Sequence, residues 1–135
     1  MTARDDDGSV LLLTIGYALL ALVLVFVCVD ATSLYLAQKR TQAAADAAAL
    51  AGADGFTLEV RDGEPWAQLS DAGVREQAEA LIGVDGGVRL VSAVTPDGVS
   101  ARVTVSATWH PPISSVFVPA GVALDATATS RTSLD

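Results

Sequence analysis

The sequence predicts an α+β fold: a single N-terminal transmembrane helix that extends into an alanine-rich helix, followed by a small module of one helix on a three-stranded antiparallel sheet. Three observations support this prediction: an uncharged apolar run, an alanine-rich stretch without helix breakers, and later segments in which polar and apolar residues alternate. The corresponding segments are a tail (1–8), a transmembrane helix (9–29), an extramembrane helical extension (30–54) and the module (55–135).

The apolar run, SVLLLTIGYALLALVLVFVCV, contains no charged residue over positions 9–29. As a helix it would be about 32 Å long, which matches the roughly 30 Å hydrocarbon core of a bilayer. A cleaved signal peptide is the alternative, because Ala31 and Ser33 are small residues at a suitable spacing for a peptidase. The run is longer than a signal core and its head carries one Arg against three Asp, so we expect a retained anchor.

The stretch after the anchor is rich in alanine and other strong helix formers. Nothing between Val29 and Ala51 breaks a helix, so we expect one helix continuous from Ser9 to Ala53, about 67 Å long. Within it a narrow seam of mostly small side chains recurs every seven residues. The seam consists of Leu36, Ala43 and Leu50, bordered by Arg40, Ala44 and Ala47.

Two uses of this seam remain open from periodicity alone. A row of small side chains lets another helix approach closely, but an alanine-rich helix also packs readily on its own small domain. Gln38 lies off the seam, so we expect Arg to be tolerated there.

The module begins after the alanine-rich stretch. Ser70 or Asp71 is expected to cap a helix that stops at Gly83. The apolar residues of this helix are Val74, Ala78, Leu81 and Ile82. Three strands are expected in VRLVSAVT, VSARVTVSATW and VALDATATSRT, with a tight turn at residues 96–98 between the first two. Residues 56–60 are expected to add an edge strand.

Residue types with catalytic chemistry are sparse. His110 is the one histidine and has no second His or Cys beside it, so we interpret it as a strand-end residue. Cys28 is the one cysteine and is interpreted as an apolar filler. The consecutive Asp5, Asp6 and Asp7 are interpreted as a solvated tail. With no phosphate loop or nucleophile motif, and a net charge of −8, we expect no enzyme activity, cofactor, metal, small-molecule substrate or nucleic acid partner.

Asp30 and Tyr35 lie at the expected membrane boundary. Asp30 is the first charge after the apolar run and Tyr35 follows it; Asp30 either marks the interface alone or pairs with a positive group on a neighbouring subunit. The segment PPISSVFVP carries Ile113, Val116, Phe117 and Val118. We expect these side chains to fill the module's own core, with contact to a partner or to lipid as the alternative.

Residues 8–53 resemble the N-terminal segment of TadG-like and TadE-like proteins of the Tad (Flp) pilus-assembly system, especially the short actinobacterial TadG-related type. The resemblance is carried by a Gly before the apolar run, Asp30 at its end, LYLAQKR, and then QAAADAAALAGA with Gln42 and Asp46 in place. The later ATWHPPISSVFVPAGVALDATATS is similar to the tail of these short proteins.

The resemblance implies a bitopic protein of the cell membrane, with a cytoplasmic N-terminus and an extracytoplasmic module, that acts as a minor pilin or assembly component. It implies membrane lipid, other pilin-like subunits or Tad membrane platform proteins as partners. Leu13 departs from the family, whose pilins carry Glu five residues after the Gly, so we expect no prepilin processing after Gly8.

Candidate assembly residues are Asp30, Tyr35, Leu36, Gln42, Ala43, Asp46, Ala47 and Leu50. A membrane-anchored or secreted binding module unrelated to pili is the alternative function.

Overall fold

The computed structural model describes residues 3–84 and 86–132, with side chains described from Asp6 onward. Asp85, the side chain of Asp5, and the ends of the expected tail and module at 1–2 and 133–135 lie outside the described residues. The elements in chain order are α1 (Ala3–Asp54), β1 (Thr57–Arg61), β2 (Glu64–Gln68), α2 (Asp71–Ile82), β3 (Val88–Val94), β4 (Ser100–Trp109) and β5 (Val122–Arg131). The α+β prediction is confirmed.

The first helix runs without interruption through both the apolar run and the alanine-rich stretch. Its 52 residues correspond to about 78 Å of helix. Gly52 does not end it, because the helix continues to Asp54 and closes where the Gly55 amide donates to the Gly52 carbonyl at 3.2 Å. The expected continuity of the helix is therefore confirmed.

The main sheet is antiparallel with strand order β3-β4-β5. The β3–β4 turn is fixed by Asp97, whose Oδ1 accepts the Val99 and Ser100 amides at 3.1 and 2.6 Å, and Gly98 adopts a positive φ of 78°. A register shift between Leu90 and Ser92 interrupts the β3–β4 pairing. The three expected strands and the turn between the first two are confirmed.

The second helix also matches the sequence prediction in its limits. The Ser70 side chain accepts the Gly73 amide at 3.1 Å, and Gly83 follows the last turn. Leu81 differs from the expectation because it is exposed. The buried stripe of α2 consists of Val74, Ala78 and Ile82, and Leu81 lies at its edge.

The expected edge strand at residues 56–60 is wrong in its pairing. β1 pairs only with β2, in a separate two-stranded sheet. The turn is made by Asp62 and Gly63, both with positive φ, which is the geometry that a two-residue hairpin favours. Pro65 weakens the strand signal of β2 in the sequence, so this segment was not predicted as a strand. The Asp-Gly pair between the two short segments is nevertheless a strong hairpin signal.

The two helices cover one face of the three-stranded sheet, and β4 runs alongside the C-terminal half of α1. At one end the Trp109 indole reaches Ser33, and at the other Gly52 faces Ala101. The interval is about 28 Å along the helix and about 26 Å along the strand, so the two elements match in length. A Cβ at Gly52 would lie 2.9 Å from Val74 Cγ1 and 3.3 Å from Ala101 Cβ, so glycine permits this close approach.

Small side chains make up most of the core between α1 and the sheet. Alanine loses almost no rotamer entropy on burial and lets backbones approach closely, which suits a helix packed along its length on strands. The opposite face of the sheet is polar, with Thr104 and Thr127 hydroxyls 2.8 Å apart. The core includes Ala45, Ala48, Ala49, Ala53, Val74, Ala101, Val103, Val105, Ala126 and Ala128.

Candidate assembly surface

The alanine-rich half of α1 has a buried face and an exposed face. Ala45, Ala48 and Ala49 are buried against the module, and Thr41 is buried beside them with its hydroxyl donating to the Ala37 carbonyl at 2.9 Å. The alternative that the helix packs on its own domain is therefore correct for this face.

The seam lies on the other side of the helix. Successive residues of an α-helix are about 100° apart, so Ala43 and Ala47, each two positions from Ala45, point away from the module. Both alanines are exposed, and Leu36 and Leu50 are 50% and 57% exposed. Arg40 is exposed as well, whereas Ala44 packs partly against the core. The module thus leaves most of the seam uncovered.

The other candidate residues flank this exposed face. Gln42 donates through Nε2 to Asp46 Oδ1 at 3.3 Å, one helical turn away. Tyr35 is exposed, and the Lys39 ammonium lies 5.5 Å from its ring centroid. The two polar residues that carry the family resemblance therefore contact each other on the helix surface.

Asp30 fastens the loop between β4 and β5 to α1. Its Oδ1 accepts the Ile113 amide at 3.1 Å, and its Oδ2 accepts the Ser114 hydroxyl at 2.6 Å. Both carboxylate oxygens thus have partners within the chain. The Asp30 carboxylate does more than mark a boundary, since it positions a segment more than eighty residues later in the sequence.

Two further polar contacts join α1 to the module, and sequence reasoning missed both. Trp109 Nε1 donates to Ser33 Oγ at 3.1 Å, and Gln38 Nε2 donates to the Asp125 carbonyl at 3.3 Å. Gln38 is off the seam as expected, but it faces the module, so it is not a neutral position for Arg. The sequence did carry one signal for a polar contact on this face of α1. The spacing of Asp30 and Ser33 places two polar groups one turn apart on the same side of the helix.

The apolar loop after β4 does not fill the core. Ile113, Val116 and Phe117 are 38%, 83% and 86% exposed, so the core prediction is wrong for these three residues. Asp30 holds Ile113 and Ser114 at the side of α1, and the following turn carries Val116 and Phe117 away from the alanine-lined interior.

The first half of α1 is apolar and uncovered. All side chains from Ser9 to Val29 are exposed. Within residues 3–84 and 86–132, one helix, α1, is long enough and apolar enough to cross a membrane, judged by length and composition. The same part of the chain contains no group of three His, Cys, Asp or Glu side chains that could hold a metal ion. The described part of the chain therefore leaves the apolar run and most of the seam exposed.

The structure combines a long apolar helix with a small α+β module packed on one side of the C-terminal half of that helix. A family model described as "Putative Flp pilus-assembly TadE/G-like" matches residues 8–55. The chain therefore carries a TadE/G-like segment, as the resemblance indicated, and this supports a pilus-related role and membrane anchoring. The Tad family is one of assembly components. The match covers α1 and stops before β1, so the module lies outside it. No curated protein and no solved structure matches the chain.

Proposed function

We propose that this protein is a bitopic membrane protein that acts as a minor pilin or assembly component of a Tad/Flp-type pilus or secretion system. Residues 9–29 would span the membrane, residues 30–54 would extend outside it, and residues 55–135 would form the extracytoplasmic module. The family resemblance supports a cytoplasmic N-terminus, and Leu13 supports retention of the chain through Gly8. Its partners would be other pilin-like subunits or Tad membrane platform proteins.

One observation carries this proposal: the seam stays exposed although the module packs against the same stretch of helix. Leu36, Ala43, Ala47 and Leu50 form a continuous row on the uncovered face. They all lie within the segment that matches the TadE/G-like family. Small side chains in such a row let a second helix pack at short distance, and two large apolar ones give it area to bury.

The flanking residues fit the same role. Asp46 and Gln42, hydrogen-bonded to each other, border the seam with polar groups. Tyr35 and Lys39 also border the seam with polar groups, closer to the proposed membrane. An apolar strip with a polar border is typical of protein contact surfaces. The contact would therefore be lateral, helix against helix, with the module facing outward.

The substitution Ala47→Arg tests this proposal. Arg would place a long charged side chain where two helices must approach closely, so the contact should be lost. Its helix propensity is close to that of Ala, and position 47 is exposed, so the module should remain folded. We expect at least a tenfold drop in co-purification with pilin-like subunits after mild crosslinking, at unchanged abundance.

Ala80→Arg is the matched control. Ala80 is exposed on α2, away from the seam, and Arg there lies four residues after Glu76, a favourable spacing on a helix. This variant should co-purify like the wild type. Equal recovery of the Ala47 variant and the wild type would contradict the proposal and favour an anchored binding module for which α1 is only a stalk.

A further inference from the structure

The loop at residues 111–119 is the strongest apolar feature that the assembly role does not use. Its sequence, PPISSVFVP, has no charged residue, and it exposes Val116 and Phe117 almost completely. Two turns shape it, with the Phe117 amide donating to the Ser114 carbonyl at 2.9 Å and the Val118 amide to Ser115 at 3.2 Å. Adjacent large apolar side chains on an ordered, uncharged loop indicate a contact surface.

The position of this loop along α1 is fixed by Asp30. The carboxylate holds Ile113 and Ser114 at the residue where the uncharged run ends. Ser33, one turn further out, holds the Trp109 indole that precedes the loop. The loop is therefore tied to the helix at the level of the expected membrane surface.

The apolar side chains of the loop reach back along the helix toward the apolar run. Ile113 and Phe117 line one groove together with Val23, Phe26 and Val27 of α1. These helix residues precede Asp30 by three to seven positions, or about 4–10 Å along the helix axis. Phe117 thus lies beside the apolar run and below the charged end of that run.

We propose that residues 113–118 enter the outer surface of the lipid bilayer, with Phe117 and Val116 at the boundary between headgroups and acyl chains. This inference rests on the membrane anchoring included in the proposed function and is independent of the pilus role. Apolar side chains of surface-bound segments enter about 5–10 Å into this boundary, which matches the offset of the groove residues from Asp30. Trp109 takes the position typical of interfacial aromatic residues.

Lipid is favoured over a protein partner because the loop is continuous with the lipid-exposed helix. The groove that Phe117 lines is walled on its other side by Val23, Phe26 and Val27, which are themselves exposed and belong to the run that would be embedded. A bilayer that surrounds these helix residues necessarily meets the side chain beside them. The consequence is a second membrane contact that fixes the tilt of the module.

The experiment uses the full chain in phosphatidylcholine and phosphatidylglycerol vesicles. Cys28→Ser removes the one cysteine, and Phe117→Cys then carries an environment-sensitive fluorophore. The matched control is Val60→Cys with the same label, since Val60 is 77% exposed on β1, which follows the far end of α1. We expect lipids with a quencher near the headgroup to quench position 117 at least fivefold more than position 60, and an aqueous quencher to show the reverse.

Equal access of the aqueous quencher to both positions would overturn the proposal. Protection of position 117 only when pilin-like subunits are added would also overturn it, because the occupant would then be protein. Labelled Cys28 in the otherwise unchanged chain reports on the anchor. A protected Cys28 with an accessible position 117 refutes the loop insertion alone, whereas an accessible Cys28 refutes the anchoring on which it rests.

Discussion

The two sides of the C-terminal half of α1 are made of similar residues but have different surroundings. On one side Ala45, Ala48 and Ala49 are enclosed by the sheet and α2. On the other side Ala43 and Ala47 face away from the module, between two exposed leucines. The comparison shows that alanine content sets how closely a neighbour can approach and leaves open which neighbour occupies each side. The buried side keeps the module on the helix, and the seam remains available to a second helix.

The largest effect is expected from Ala48→Arg, the buried counterpart of the seam variant. Ala48 is fully buried, and a charged side chain there has neither space nor a partner. We expect a loss of several kcal/mol, comparable to the total stability of a small domain, so the module should detach or unfold. Limited proteolysis of the full chain in detergent would show this.

The neighbouring Ala47→Arg variant is the control for that measurement and should resist proteolysis like the wild type. Equal protease sensitivity of the two variants would mean that the two faces are not distinct.

An intermediate effect is expected from Gln38→Ala, which removes one hydrogen bond between the helix and the Asp125 carbonyl. A neutral hydrogen bond of this kind contributes about 0.5–1.5 kcal/mol, and partial exposure places this one at the lower end. Thermal unfolding followed by tryptophan fluorescence should show a small decrease in the midpoint. Arg40→Ala, on the exposed side, should leave the midpoint unchanged, and a larger decrease there would contradict the assignment of faces.

The smallest effect is expected when the pH is lowered, and it concerns Asp97 in the β3–β4 turn. Hydrogen bonds from the Val99 amide and the Ser100 hydroxyl lower the pKa of Asp97 below its usual 3.8. The folded state thus favours the carboxylate, so its stabilising contribution is complete above pH 3.8 and is lost as the pH falls through the lowered pKa.

The Asp97 contribution should be small because the group is exposed. Asp97→Asn should show a shallower decrease in thermal midpoint between about pH 4 and pH 2 than the wild type. Identical acid profiles would show that Asp97 does not contribute.

The sequence predicted most of the fold because its patterns match the periods of helix and strand. β4 alternates strictly, and α2 has both a cap and an apolar stripe. The β1–β2 hairpin was missed because Pro65 lowers the strand signal of a five-residue segment. For the extension of α1, alanine on all sides gives no polarity contrast, so periodicity could not tell the buried face from the exposed one.

The partners of Asp30, Ser33 and Gln38 could not be identified from the sequence for a different reason. Each joins α1 to a residue about 80 positions later, and no local pattern states which loop returns to a helix. Asp30 was singled out from its position at the end of the apolar run, but its partners in the β4–β5 loop required the fold.

Site-specific photocrosslinking in cells tests the central claim most directly. A photoreactive amino acid is placed at Ala43, in the middle of the exposed seam, and at Ala80 on α2 as the control. If the seam receives a second helix, position 43 should give a discrete adduct with a pilin-like subunit and position 80 should give none. The absence of an adduct at position 43, or equal adducts at both positions, would contradict the proposed assembly role.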